Sequence, residues 1–206
     1  MNRELEVTQK RMAETNAKSI RAFIAIKLPD DVIERLREAQ TYLKHEGLDI
    51  KWVRPENIHL TLKFLGDIRQ TDVDAVGKAL TSATAPFAPL TLSASGLGAF
   101  PSVKRPRVIW SGLRGDLEVL ARLHARLEEE LSALGMEKES KAFKGHLTLG
   151  RIKGKVNPDV MIDAFSKYGH MTSRGFVADT LYLIKSDLKP SGPVYTDLIS
   201  VRMGAG

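Results

Sequence analysis

The tetrapeptide His-Leu-Thr-Leu occurs twice in the sequence, at residues 59–62 and at residues 146–149. Side chains two residues apart in a β-strand share a face, so each copy presents a histidine and a threonine together and two leucines opposite. Leucines suit a core, which leaves the polar pair facing a cleft. Histidine exchanges protons near neutral pH, and threonine hydroxyls hydrogen-bond phosphate oxygens, so the pattern indicates chemistry at a phosphate.

Two imidazoles near one phosphate would allow one ring to act as a base and the other as an acid. One of His59 and His146 accepts a proton from water, while the other donates a proton to the leaving oxygen. A strained cyclic phosphate suits this pattern best, and the residue types alone do not decide which histidine takes which role. Two alternatives stand beside this reading. The copies are also good amphipathic strands that duplication alone would preserve, and a dinuclear metal site would need further ligands that neither copy has nearby.

The elements around the two copies follow the same order in each half of the chain. Each half is predicted to run from an apolar strand through a helix to the strand with the tetrapeptide, then a second helix and a closing strand. This order predicts an α+β fold with two pseudo-symmetric lobes from an internal duplication, antiparallel sheets, helices on the outside and a cleft between the lobes. The expected ranges are a flexible extension at 1–19 and one domain at 20–206, with repeats 20–95 and 106–206 that have room to exchange strands. The Gly/Pro-rich stretch 96–106 is the expected boundary.

Composition narrows the class of protein. The 206 residues include 43% hydrophobic and 27% charged residues, which fits a globular chain, and no cysteine, which excludes disulfide scaffolds, Cys-based metal sites and thiol nucleophiles. No apolar stretch approaches the ~20 residues of a spanning helix, and the first 19 residues lack an apolar signal region. We therefore expect a cytoplasmic monomer without membrane contact. The net charge of +6 weakly favours a polyanionic partner.

Longer matches surround the tetrapeptides, and on them the sequence resembles a known family. They are residues 21–26 (RAFIAI), 52–66 (WVRPENIHLTLKFLG), 98–101 (GAFP), 106–110 (PRVIW) and 146–151 (HLTLGR). The sequence resembles the two-histidine phosphoesterase superfamily, and within it the RNA 2′,3′-cyclic phosphodiesterases, also called RNA 2′–5′ ligases.

This resemblance implies hydrolysis of an RNA terminal 2′,3′-cyclic phosphate to a 2′-phosphomonoester without a metal or other cofactor. It also implies that the reverse 2′–5′ ligation is open to the same site. By the resemblance, His59 is the proton donor to the 3′ oxygen and His146 is the proton acceptor from water. Thr61 and Thr148 hold the phosphate, and Arg151 is a further phosphate ligand.

Other residues are candidates for binding the substrate. Lys63 continues the spacing of His59 and Thr61, so it is expected to face the cleft, with a solvated strand end as the alternative. Arg151 would share the leucine face by strict alternation, so a phosphate role requires a bulge at Gly150. Arg107, together with Arg105, is a candidate contact for an RNA backbone or else a solvated pair.

Aromatic residues are candidates for stacking on a terminal base, of which one or two are expected to serve: Phe23, Trp52, Phe100 and Tyr195. Gly145 and Gly150 stand where relatives often have Pro and Ala, and two glycines are expected to loosen the second motif strand. Two other functions stay open. One is a phosphodiesterase for cyclic phosphates of small nucleotides or ADP-ribose derivatives, and the other is a non-catalytic RNA-binding module.

Overall fold

The computed structural model describes residues 18–154 and 156–204. Its strands are β1 (Ser19–Lys27), β2 (Ile50–Trp52), β3 (His59–Arg69), β4 (Leu90–Ser102), β5 (Arg105–Gly115), β6 (Leu147–Ile152), β7 (Phe176–Ala178), β8 (Thr180–Lys189) and β9 (Gly192–Arg202). Its helices are α1 (Asp30–His45), α2 (Val73–Thr84), α3 (Leu117–Ala133) and α4 (Pro158–Tyr168). The predicted extension at 1–19 lies outside the described residues up to 17, and Ser19 already belongs to β1.

The strands form one antiparallel sheet in the order β7-β4-β5-β6-β3-β1-β8-β9, with β2 beside β6. The two halves of the sheet meet where β3 pairs with β6 through Leu60 and Leu147. Each half places its tetrapeptide strand at the centre, next to the first strand of its own repeat. β4 continues from the first repeat but pairs with β5, and β8 of the second repeat pairs with β1. The predicted α+β class and pseudo-symmetric arrangement are confirmed, although the two expected sheets are joined into one.

The helices supply one side of the main core. The apolar stripe of α1 (Val32, Leu36, Ala39 and Leu43) is fully buried, as the helical spacing predicts. The helix α2 packs against α3, and α1 packs against α4. The leucines of both tetrapeptides belong to this core, because strand alternation turns them toward the helices. The histidines and threonines therefore lie on the opposite face of the sheet.

The expected boundary at residues 96–106 contains the turn between β4 and β5. β4 runs to Ser102 and β5 begins at Arg105, so this stretch holds the end of β4, the turn and the start of β5 within one hairpin of the sheet. Gly96 has a φ of 73° and sits at a register shift between Ser95 and Leu97, so it forms a bulge inside β4. Along the part of the chain that the structure describes, no helix is long and apolar enough to cross a membrane.

Candidate active site

The pairing of β3 with β6 brings the two tetrapeptides together. Leu60 and Leu147 pair directly, and both are fully buried in the core. In an antiparallel register, the residues on either side of such a pair also stand opposite each other. Each histidine is thus placed opposite the threonine of the other copy, His59 opposite Thr148 and His146 opposite Thr61. The four polar residues share the half-buried face away from the core.

Both histidines are held in the same way by the backbone. Nδ1 of His59 lies 2.8 Å from the carbonyl oxygen of Asn57, and Nδ1 of His146 lies 2.7 Å from the carbonyl oxygen of Lys144. A carbonyl oxygen only accepts hydrogen bonds, so Nδ1 carries a proton in each ring. Nε2 is then the nitrogen left for exchange with a substrate: it accepts a proton in the neutral ring and donates one in the charged ring.

Aromatic side chains from neighbouring strands pack on each imidazole. The ring of Phe23 stacks on His59 with centroids 4.7 Å apart, and Tyr195 meets the same imidazole edge-on at 5.5 Å. Phe100 meets His146 edge-on at 5.0 Å, and Trp110 does so at 6.4 Å. Among the described residues, each of these two histidines is therefore packed by two aromatic rings, but a stacked ring is present only at His59.

Burial changes the acidity of the first histidine. Removal from water lowers the pKa of His59 from 6.5 to about 4, and the hydrogen bond to Asn57 acts in the opposite direction. In the ligand-free protein at neutral pH, His59 is thus a neutral imidazole. An anion placed against Nε2 would favour the charged form of the ring.

A bulge brings Arg151 to the active-site face. β6 shifts its register against β5 between Gly150 and Thr148, which leaves Leu149 as the extra residue. The carbonyl oxygen of Leu149 accepts hydrogen bonds from the amide of Val53 at 2.9 Å and from Nε2 of Gln40 at 2.9 Å. The sequence required a bulge for Arg151 to leave the leucine face, and the structure has one. Arg151 lines the cavity that also contains His59.

The expectation that Lys63 faces the phosphate is wrong. β3 carries a bulge at Leu62, because Thr61 pairs with Ala25 while Lys63 pairs with Ile24. Lys63 is consequently turned to the core side, is only 3% exposed, and bonds both carboxylate oxygens of Glu128 at 2.7 and 2.8 Å. Strict alternation was assumed, and one extra residue reverses it.

Phe64 occupies the face on which Lys63 was expected. Its side chain is 58% exposed and lines the cavity beside His59. Phe23 is placed differently from the expectation of a base-stacking ring, because it is 3% exposed and stacks on His59 instead. Arg107 is exposed on β5 and is not among the residues that line this cavity, so its contact with RNA stays a prediction.

The cavity next to His59 has a volume of about 380 Å³. Thr61, Thr148 and Tyr195 line it near the imidazole, and burial raises the pKa of Tyr195 while the charge of Arg151 acts in the opposite direction. Four cationic side chains also line it: Arg21, Lys51, Arg54 and Arg151. This surface combines apolar rings with positive charge, which suits an anionic ligand that carries a base.

Two glycines near the site allow neighbouring side chains to pack directly on the backbone. One of them, Gly150, was expected to loosen β6, but it lies in a tightly packed contact with β2. A Cβ atom on Gly150 would lie 2.4 Å from Ile50 Cγ2 and 3.2 Å from the ring of Trp52, so the glycine lets β2 pack tightly on β6. A Cβ atom on Gly98 would lie 2.2 Å from the ring of Trp110, which crosses the glycine to reach His146.

Gln40 is the supporting residue that the sequence analysis missed. It is fully buried, and its side-chain amide also donates to the carbonyl of Val53 at 2.7 Å. The available signal was a polar residue four positions after Leu36, in the apolar stripe of α1. The carbonyls of Asn57 and Lys144 gave no such signal, because any residue supplies a carbonyl. Among the described residues, no cluster of three or more His, Asp or Glu side chains has the arrangement to hold a metal ion.

Comparison with known proteins gives consistent matches over most of the chain. The family model described as LigT like phosphoesterase matches residues 26–110 and 115–195, and each stretch contains one tetrapeptide. The RNA 2′,3′-cyclic phosphodiesterase of Archaeoglobus fulgidus is 36% identical over 179 residues, covering 87% of this chain and 98% of that protein. The protein of the same name from Aquifex aeolicus is 36% identical over 193 residues, covering 91% and 99%. The crystal structure of TT0787 from Thermus thermophilus superposes with a TM-score of 0.70 at 30% identity, covering 90% and 98%.

Proposed function

Because the chain belongs to the LigT-like phosphoesterase family, we propose that it hydrolyses the 2′,3′-cyclic phosphate at the end of an RNA to a 2′-phosphomonoester. The observation that carries this proposal is the pair of imidazoles on one sheet face. Each has Nδ1 committed to a carbonyl and Nε2 left for proton exchange, and each stands opposite a threonine. The relatives named RNA 2′,3′-cyclic phosphodiesterase support the choice of substrate.

The proposed reaction moves two protons and breaks one bond. Nε2 of neutral His146 takes a proton from water as the oxygen of that water attacks phosphorus. The bond from phosphorus to the 3′ oxygen breaks, and Nε2–H of protonated His59 donates its proton to that oxygen. The 2′ ester stays intact, so the product carries a 2′-phosphate and a 3′-hydroxyl. The two rings end with their protonation states exchanged.

In this proposal, the bound phosphate favours protonation of His59, which then serves as the acid. Burial keeps His59 neutral in the free protein, and the bound anion compensates the cost of charging the ring. The hydroxyls of Thr61 and Thr148 and the guanidinium of Arg151 bind the non-bridging oxygens, where negative charge increases as water adds. No step in this proposal uses a metal ion. A 5′-hydroxyl in place of water gives 2′–5′ ligation by the same two proton transfers.

The lining of the cavity favours an RNA end over a small cyclic phosphate. Four cationic side chains line the cavity together with the threonines, and a mononucleotide leaves most of that charge unpaired. Phe64 and Trp52 offer apolar surface for the terminal base. These features are the reason to place an oligonucleotide, with its further phosphates, ahead of the small-substrate alternative.

The test is a product analysis in the presence of EDTA. An oligoribonucleotide ending in a 2′,3′-cyclic phosphate is incubated with wild-type protein, His59→Ala and His146→Ala, and the products are separated from 2′- and 3′-phosphate standards. We expect the 2′-phosphate from wild-type protein, and losses of about 100- to 10,000-fold in each variant. Adenosine 2′,3′-cyclic phosphate in parallel measures the preference for RNA.

Three outcomes would count against the proposal. A 3′-phosphate product would contradict the assignment of the leaving oxygen. Activity that EDTA abolishes and a divalent metal restores would contradict the metal-free mechanism. A folded wild-type protein that binds the RNA without turnover would favour the non-catalytic RNA-binding module.

A further inference from the structure

His146 is placed by a long connection without regular secondary structure. Residues 134–146 link the end of α3 at Ala133 to the start of β6 at Leu147. The carbonyl of Lys144, which holds Nδ1 of His146, belongs to this connection. His59 differs, because its carbonyl partner, Asn57, lies in a short 3-10 turn just before β3. The position of His146 therefore depends on the contacts that hold residues 134–145 against the rest of the protein.

A buried ion pair between Lys63 of β3 and Glu128 of α3 forms hydrogen bonds with this connection. Nζ of Lys63 donates to the carbonyl of Glu137 at 2.8 Å while it bonds the carboxylate of Glu128. The same carboxylate accepts a hydrogen bond from the backbone amide of Glu139 at 3.1 Å. Lys63 and Glu128 are 3% and 8% exposed. One ion pair thus holds the connection at two backbone positions.

Residues 134–141 are separated from the second half of β3 by a cavity of about 830 Å³, which the Lys63 side chain borders. This part of the connection therefore stands away from the strand. Lys63 reaches across from β3, where the bulge at Leu62 has turned it to this side. Nearer to the site, the ring of Phe143 stacks on His124 of α3 with centroids 4.1 Å apart.

We propose that Lys63 and Glu128 form a positioning pair for His146, acting through residues 137–144. The pair does not touch the phosphate; it sets the place of the Lys144 carbonyl and hence the direction of Nε2 in His146. This inference deepens the proposed function and rests on it for the kinetic consequences. A shift of about 1 Å in a proton acceptor is enough to cost about 100-fold in rate.

The primary test removes both charges together. Loss of one partner would leave a buried uncompensated charge, whereas Lys63→Met with Glu128→Leu replaces the pair with apolar side chains. Far-ultraviolet circular dichroism and thermal unfolding establish that the double variant is folded. We expect kcat on the cyclic-phosphate RNA to fall by about 100-fold with KM changed less than about threefold, because substrate ligands are intact while the base is displaced.

Nuclear magnetic resonance of the imidazoles gives a readout that does not require activity. Long-range ¹H–¹⁵N spectra distinguish Nδ1–H from Nε2–H in each ring. We expect His146 to lose the pure Nδ1–H signature in the double variant, while His59 retains it because its carbonyl partner is independent of the connection. A failure of the proposed activity in wild-type protein would leave this measurement intact, so the two failures are distinguishable.

Two further variants complete the design. Arg126→Met with Glu130→Leu removes a partly exposed ion pair, together with the Ser82–Glu130 hydrogen bond, from the same helix and serves as the matched control, with kcat expected to be unchanged. Lys63→Met with Glu128→Gln also removes both charges; it loses the donor to the Glu137 carbonyl but keeps an acceptor for the Glu139 amide, and it replaces the first double variant if that protein does not fold. In wild-type protein, the Glu139 amide is expected to exchange slowly with solvent.

The inference is overturned by any of three results. The first is a folded Lys63→Met/Glu128→Leu variant, or a folded Lys63→Met/Glu128→Gln variant, with wild-type kcat and an unchanged His146 spectrum. The second is an equal loss of kcat in the control pair. The third is exchange of the wild-type Glu139 amide at the rate of an unstructured peptide.

Discussion

The depressed pKa of His59 predicts that the protein loses stability as the pH falls below neutrality. Burial lowers the pKa of His59 from its ordinary value of 6.5 to about 4. The unfolded chain therefore takes up a proton at His59 between pH 6.5 and about 4 while the folded protein does not. The neutral ring contributes its full stability above pH 6.5, and this contribution is lost as the pH falls toward 4.

The size of the loss follows from the two pKa values. A difference of about 2.5 pKa units corresponds to about 3 kcal/mol in the free energy of unfolding, with about 2 kcal/mol already lost at pH 5. Carboxylates also titrate in this range, so the comparison is made against His59→Gln, which keeps every carboxylate. Urea unfolding of both proteins at pH 7 and pH 5 measures the difference.

Wild-type protein should become less stable relative to His59→Gln by about 2 kcal/mol between these pH values. Nuclear magnetic resonance titration of the His59 ring should give a pKa near 4 without ligand and a higher value with inorganic phosphate. A ligand-free pKa near 6.5, together with parallel stability profiles, would refute the reasoning that burial keeps this ring neutral until an anion binds.

Other predictions concern the residues around the histidines. Arg151→Ala should lower kcat/KM on cyclic-phosphate RNA by about 10- to 100-fold through the loss of a charge-assisted hydrogen bond; Arg114→Ala, an exposed arginine at the far end of β5, is the control. Phe64→Ala should raise KM by about 10-fold if its exposed ring stacks on a base, and an unchanged KM would remove that role. Gly98→Ala should lower the free energy of unfolding by about 1–3 kcal/mol, since the added methyl group displaces Trp110; a stability equal to wild type in urea unfolding would contradict the packing argument.

The sequence predicted the elements of the fold well because their signals are local. The apolar spacing of α1 identified its buried face. The tetrapeptides also showed which side chains share a face, because alternation in a short strand is reliable. The joining of the halves through Leu60 and Leu147 is a long-range contact, for which a single sequence carries no local signal.

A bulge accounts for the main error about the site, because a single extra residue at Leu62 turns Lys63 from the expected cleft to the core. The shift at Leu149 has the opposite outcome, since the bulge that the sequence required near Gly150 is present and Arg151 lines the cavity. The bulge at Leu149 is stabilised by Gln40, which lies 109 residues away in sequence. Phe23 lies at the site as expected, but its ring stacks on His59 and not on an exposed surface for a base. The sequence alone does not show which side chain an aromatic ring packs against. The monomeric state and the cytoplasmic location stay predictions.

The central claim is that His59 and His146 act on one phosphate as acid and base, and a sulfur substitution tests it most directly. In a cyclic substrate with sulfur in place of the 3′ oxygen, the leaving group is a thiolate that departs without a proton from the protein. His59→Ala is predicted to recover most of its lost rate on this substrate, while His146→Ala stays impaired because water still needs a base. Recovery by His146→Ala instead would reverse the roles, and recovery by neither variant would contradict the assignment of His59 as proton donor.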